Sequence, residues 1–194
     1  MAGSVILGGA RTPIGRLSGA LASFSGAQLG GLAIKAALER AGLSPEQIDY
    51  VFMGQVLQAG TGQITARQAA TDAGIPMTVP ATTVNKVCLS GLNTIYLADQ
   101  LIGSGEADIV VAGGMESMTN APYLLPDARA GMRAGDKTVV DSMMYDGLTC
   151  AFDHCAMGLG TENYAKEAGG IARERQDALA ANSHERASAA IKEG

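Results

Sequence analysis

The stretch Thr82-Thr83-Val84-Asn85-Lys86-Val87-Cys88-Leu89-Ser90-Gly91-Leu92-Asn93-Thr94-Ile95-Tyr96 changes its period halfway along. Its first part is rich in β-branched residues and suits a strand over residues 82–87. From Leu92 onward, Leu92, Ile95, Tyr96 and Asp99 follow helical spacing, and the helix is expected to end near Gly103. Cys88 falls at the junction. At a helix start, unpaired N–H groups and the positive end of the dipole favour thiolate over thiol, and the same groups can receive a developing oxyanion. Free cysteine is also among the most buried residue types, so the position alone admits a small core residue as well as a nucleophile.

Outward from this junction, Ile109-Val110-Val111-Ala112 is a continuous apolar run. A strand over residues 108–112 would complete a βαβ unit with parallel strands, its sheet covered on both faces. Gly113-Gly114 lacks the further glycines and lysine of a phosphate-cradling loop and reads as a tight, closely packed turn. Toward the N-terminus, Val5-Ile6-Leu7 reads as a first strand and residues 11–26 as a loop. Leu29, Leu32, Ala33 and Ala36 read as the core face of a helix closed by Gly42. Ser44-Pro45-Glu46-Gln47 predicts a short helical turn, residues 50–56 a strand, and residues 63–73 a helix ended by Gly74 and Pro76.

Beyond residue 119 the chain is broken by Pro122, Pro126, Gly131, Gly135 and Gly147. Met132, Met143, Met144 and Met157 read there as adaptable packing filler, with a flexible apolar wall as the alternative. Residues 161–194 are helical in character, with Arg173-Glu174-Arg175 as a solvated first turn and His184 on the surface.

Composition narrows the function classes. A formal net charge of −5 argues against binding a phosphate backbone, and no apolar run approaches a membrane span. No basic segment followed by an apolar signal core precedes Val5, so no export is expected. Three cysteines form no even disulfide framework, which favours a reducing, cytoplasmic compartment. Cys150, His154 and Cys155 lack the paired spacing of a structural zinc site, so no metal is expected.

The run Asn85-Lys86-Val87-Cys88-Leu89-Ser90-Gly91, followed by Val110-Val111-Ala112-Gly113-Gly114-Met115-Glu116-Ser117-Met118, resembles the thiolase family, in particular its acetyl-CoA acetyltransferase branch. Gly8-Gly9-Ala10-Arg11-Thr12-Pro13-Ile14-Gly15, Asp146-Gly147-Leu148-Thr149 and Ala156-Met157-Gly158 agree with it. The resemblance implies an α/β fold: the N-terminal half of a thiolase, with a mixed, mainly parallel five-stranded sheet covered by helices, plus part of an irregular, helical loop domain. It divides the chain into a nucleophile-bearing core over residues 1–118 and the start of a substrate-pocket domain over residues 119–194.

By the same resemblance Cys88 is the nucleophile, and Leu148 and Met157 line the acyl pocket. Coenzyme A thioesters are substrates, with no cofactor, and the protein is a homo-oligomer, dimer or tetramer, without nucleic-acid or membrane partners. The implied reaction condenses two acetyl-CoA to acetoacetyl-CoA and CoA, or reverses it, through an acyl-cysteine. Ala156 departs from a histidine common at that position in acetyl-specific members, and His154 lies two residues earlier. Gly113-Gly114-Met115-Glu116-Ser117 favours this branch over ketosynthase-type condensing enzymes. A non-catalytic thiolase-like protein that binds acyl-CoA or oligomerises is a further reading.

The family's protein is about two such halves, and the second supplies an activating histidine, a water-holding asparagine and an acid/base cysteine. The 194-residue chain is therefore expected to be a fragment, to be completed by another polypeptide, or to be a derived form without thiolase activity. By itself it is expected to be inactive.

Overall fold

The structure, a computed structural model, describes residues 3–193. The first of its two compact units ends at Gly147 and is built on a parallel three-stranded sheet. Strand β1 (Tyr50–Gly54) lies between β2 (Ala81–Val84) and β3 (Val110–Gly114), pairing Val51 with Ala81 and Val111, and Gly54 with Val84 and Gly114. Successive strand residues point to opposite faces, so the burial of Val51, Phe52, Met53 and Gly54 alike means that both faces of β1 are covered.

Helix α1 (Gly26–Ala41) begins at a capping box, in which Ser25 Oγ accepts the Gln28 N–H and Gln28 Oε1 accepts the Ser25 N–H. It ends at Gly42 in the left-handed conformation. Its core face is not the predicted Leu29, Leu32, Ala33 and Ala36. Gly26, Ala27, Gly30, Gly31, Ile34 and Leu38 are buried, while Leu32 is exposed. The reason is close approach to α2 (Thr65–Asp72): a Cβ on Gly31 would sit 2.7 Å from Asp72 Cβ, and one on Gly30 would sit 3.2 Å from Ala69 Cβ. Ile34, Leu38, Ala66, Ala69 and Ala70 join Val51 and Met53 in one core cluster.

The Ser44 turn forms as a 3₁₀ helix (Pro45–Gln47), closed by the Ser44 N–H donating to Gln47 Oε1. At the other end of the sheet's width, Asp49 Oδ2 accepts the N–H groups of Asp108 and Ile109 at 2.8 and 2.9 Å, which ties the start of β1 to the start of β3. These two donors hold its carboxyl below the usual aspartate range, led by Ile109.

Helix α3 (Ser90–Gly103) follows β2 and packs on β1 and β3. Its buried residues are Ser90, Thr94 and Ala98, so the stripe Leu92, Ile95 and Tyr96 faces outward and is exposed in this chain. Small residues face the sheet because the backbones approach closely there.

The predicted strand at Val5-Ile6-Leu7 is not formed. Residues 3–10 run without secondary structure, held by Ser4 Oγ donating to Asp99 and by Arg40 Nη1 donating to Gly9 O at 2.9 Å. A ladder needs a neighbour about 4.8 Å away; instead, residues 4–10 and 109–114 both line a cavity of about 400 Å³. Among the described residues the main sheet therefore has three strands, against the five that the resemblance implies.

After β3 come a two-residue antiparallel ladder of β4 (Tyr123–Leu124) with β5 (Val140–Asp141), a 3₁₀ helix (Pro126–Ala130) and a π-helical turn (Met143–Leu148). Met132 and Met144 are exposed there, so they do not fill a core. So irregular a stretch presents no continuous face to pack. The second unit, which starts at Leu148, contains α4 (Met157–Glu167) and α5 (Arg173–Glu193). Arg173 pairs with Asp177 at 2.8 Å on the solvated first turn of α5, and His184 is exposed. Among the described residues no helix is long and apolar enough to cross a membrane.

Candidate active site

The predicted strand ends three residues early, at Val84, and α3 begins at Ser90, so residues 85–89 form a turn with Cys88 near its tip. The Cys88 side chain is exposed, which removes the core-cysteine reading for this unit. Three glycines bring the turn down onto the sheet. A Cβ on Gly54 would lie 2.5 Å from Ser90 C and 2.6 Å from Gly91 N, and one on Gly114 would lie 3.2 Å from Gly91 Cα. Only bare backbone at the ends of β1 and β3 lets α3 start where it does. Fully buried Thr94 adds a bond across the same contact, its Oγ1 lying 3.0 Å from Gly113 O and 2.7 Å from Gly91 O. Close packing is thus the role of Gly113-Gly114, as the sequence suggests, but the pair ends strand β3 and does not form the expected turn.

The turn is strained and heavily tied. Val87 has φ +49°, a conformation that costs a β-branched residue about 1–3 kcal/mol and persists only where the surroundings enforce it. Asn85 Oδ1 accepts the Val87 N–H at 3.0 Å, and the Val87 carbonyl accepts from Ser90 Oγ at 2.6 Å and from the Ser90 N–H at 3.0 Å. Ser90 Oγ also accepts the Lys86 N–H at 2.8 Å, the Leu89 N–H donates to Lys86 O at 3.1 Å, and Lys86 Nζ donates to Asn93 at 3.2 Å. None of these bonds uses the Cys88 N–H.

Next to it, the loop after β1 is held by an acid that sequence reasoning left without a role. Glu116 Oε2 accepts the Val56 N–H at 2.8 Å and Oε1 the Leu57 N–H at 3.2 Å. Burial holds this carboxyl above the usual glutamate range, against the opposing pull of those two donors. Asn85 Nδ2 donates to Val56 O at 3.4 Å, and the Gln55 N–H donates to Val84 O at 2.9 Å. An asparagine two residues before a turn residue is a readable turn signal. A glutamate bonded to backbone sixty residues away leaves no periodic trace.

In the second unit, Thr149 bridges Ala156 in antiparallel fashion and the Cys150 N–H donates to Cys155 O at 2.8 Å. This register places Leu148 opposite Met157 at the open end of the hairpin. Leu148 is half-buried and Met157, the first residue of α4, is largely exposed. Cys150 Sγ accepts the Asp153 N–H at 3.5 Å, which accounts for it as a loop-closing residue, and His154 has φ +51°.

Cys88 thus stands on a strained turn between a parallel strand and a helix, at the C-terminal end of the sheet of an α/β protein. Residues 4–194 match the family model for the thiolase N-terminal domain, and the chain belongs to the thiolase family. It is similar to the probable acetyl-CoA acetyltransferase of Mycobacterium leprae, 54% identical over 194 residues, which are all of this chain and 49% of that protein. It is 53% identical over 190 residues to the acetyl-CoA acetyltransferase of Cupriavidus necator, with 98% of this chain and 48% of that one covered. It is 51% identical over 189 residues to "Acetyl-CoA acetyltransferase ERG10, cytosolic" of Gibberella zeae, with 97% and 48% covered. The chain spans about half the length of these curated relatives.

Proposed function

We propose that this chain is the nucleophile-bearing half of an acetyl-CoA C-acetyltransferase, with Cys88 as the nucleophile, Leu148 and Met157 against the acyl group, and coenzyme A thioesters as substrates without a cofactor. The observation that carries the reading is the exposed Cys88 on its enforced turn, in a chain of the thiolase family whose relatives bear that name. Cys88 Sγ adds to the acetyl carbonyl, the developing oxyanion takes up the Cys88 N–H, and the C–S bond to coenzyme A breaks to release its thiolate. A second acetyl-CoA loses an α-proton, and its carbon attacks the acyl carbon. That C–C bond forms as the bond to Cys88 breaks, returning the thiolate. Thiolysis of a 3-ketoacyl-CoA runs the same steps backwards.

The base and acid for these proton transfers belong to a second half, which together with this chain makes the complete enzyme. The exposed stripe Leu92, Ile95 and Tyr96 on α3 supports that division, since apolar surface on the helix behind the nucleophile calls for a cover. By function, residues 1–118 are the core and residues 119–194 the start of the pocket domain, whereas the compact units divide at Gly147. A cytoplasmic enzyme fits three free thiols and the printed name of the Gibberella zeae relative; that it is a homo-oligomer rests on the family resemblance alone. In the complete enzyme, Cys88→Ala is expected to lower acetoacetyl-CoA thiolysis by about a thousandfold or more. Retained thiolysis in that variant refutes the assignment.

A further inference from the structure

Two ties meet at the turn that carries Cys88. From one side, the Glu116 carboxylate grips the loop after β1 through two N–H groups, at 2.8 and 3.2 Å. From the other, Asn85 spans loop and turn, donating to Val56 O and accepting from the Val87 N–H. The three groups form one line, from Glu116 through the Val56 backbone and the Asn85 amide to the Val87 N–H, one residue short of Cys88. At its end sits the strain: Val87 at φ +49° places two γ-methyls in a conformation that glycine adopts freely. The Val87 carbonyl is fixed separately by Ser90. The line from Glu116 therefore has the Val87 N–H as its terminus.

We propose that Glu116 and Asn85 are positioning residues that act in series to hold Val87 in the left-handed conformation and so aim the Cys88 thiol. Neither touches the reacting atoms. The inference rests on Cys88 being the nucleophile. Both oxygens of the Glu116 carboxylate are needed, because each accepts a different N–H, whereas a glutamine offers a single acceptor oxygen and would oppose an amide N–H to one of the donors. Asn85 is needed as an amide for the same kind of reason, since it donates on one side and accepts on the other. Its replacement by aspartate keeps the bond to Val87 and sets a carboxylate oxygen against Val56 O.

The test uses the complete enzyme with Asn85→Ala, Asn85→Asp, Glu116→Ala and Glu116→Gln, each alone and combined with Val87→Gly, and with the Asn85→Ala/Glu116→Ala pair. Three quantities are read: the rate of Cys88 alkylation by iodoacetamide mapped on its peptide, kcat and KM for acetoacetyl-CoA thiolysis, and the urea unfolding midpoint. The alanine variants are expected to lower kcat and the alkylation rate by about tenfold, equivalent to about 1.4 kcal/mol, at unchanged KM. The Asn85→Ala/Glu116→Ala pair is expected to be no worse than Asn85→Ala alone, as in-series action requires. Val87→Gly is expected to recover most of the loss, because glycine needs no tie to stay at φ > 0. Asp at 85 and Gln at 116 are expected to fall between wild type and alanine.

Unchanged kcat and alkylation in both alanine variants overturn the proposal. So does a loss that tracks the unfolding midpoint and is not recovered by Val87→Gly, which marks a merely structural role. A wild-type enzyme that lacks thiolysis, or a Cys88→Ala variant that keeps it, instead overturns the functional reading, and the alkylation series still reports on the turn.

Discussion

Adding one methyl group at Gly54 should damage the enzyme far more than adding one at Gly103, although both changes are Gly→Ala. A Cβ at residue 54 meets the backbone of the α3 start at 2.5 and 2.6 Å, and no flexible side chain can yield there. Ordinary carbon contact begins near 3.5 Å, so the helix start must retreat by about 1 Å. Overpacking of this kind costs about 1–3 kcal/mol of stability. Carried to Cys88, two residues before the helix, a displacement of about 1 Å lowers turnover by about a hundredfold. Gly103 lies at the other end of the same helix with nothing within 4 Å of its would-be Cβ, and there alanine should stabilise by about 0.5–1 kcal/mol. Urea unfolding followed by circular dichroism, with kcat for thiolysis measured on the same preparations, separates the two. If Gly54→Ala unfolds and turns over like Gly103→Ala, the helix start is not pressed on β1 as described.

Other outcomes follow from individual contacts. Asp49 has a depressed native pKa, so its contribution to stability is present above the unfolded value of about 3.9 and is lost as pH falls through the lower native value. Asp49→Asn should therefore be less stable than wild type near pH 7, with the gap closing in acid, as urea midpoints across pH will report. Met157→Ala should favour longer 3-ketoacyl-CoA substrates and Ala156→His shorter ones. Each should move relative kcat/KM by about tenfold, the scale of a few methylenes in an apolar pocket, and unchanged ratios in both would place these residues in the scaffold. The 194-residue chain by itself should form no acetoacetyl-CoA from acetyl-CoA, and a robust coupled-assay signal from it would mean that His154 or His184 serves as the base.

The βαβ unit around Cys88 was readable because its signals are local: a β-branched run, a helical spacing and glycines at the stops. The position of the thiol was legible for the same reason. The faces were less so. Apolar spacing pointed to Leu29 and Leu32 on α1 and to Leu92, Ile95 and Tyr96 on α3, whereas the chain buries Gly30 and Gly31 on one helix and Ser90, Thr94 and Ala98 on the other. Where backbones pack closely, small residues face the core and hydrophobicity misleads. Val87 reads as a strand residue by type, and only its hydrogen-bonded neighbours turn it to positive φ. Glu116 acts on backbone at residues 56 and 57, a link that exists only once the sheet has formed. Val5-Ile6-Leu7 has the composition of a strand, but pairing is a property of two segments.

The most direct test is to trap the intermediate. The complete enzyme is mixed with acetyl-CoA, quenched in acid, digested and read by peptide mass spectrometry. A single acetyl group on the peptide that contains Cys88, removed on addition of coenzyme A and absent from Cys88→Ala, is the expected result. Acetyl on Cys150 or Cys155 instead, or turnover with no acetyl on Cys88, would contradict the assignment of this turn as the catalytic centre.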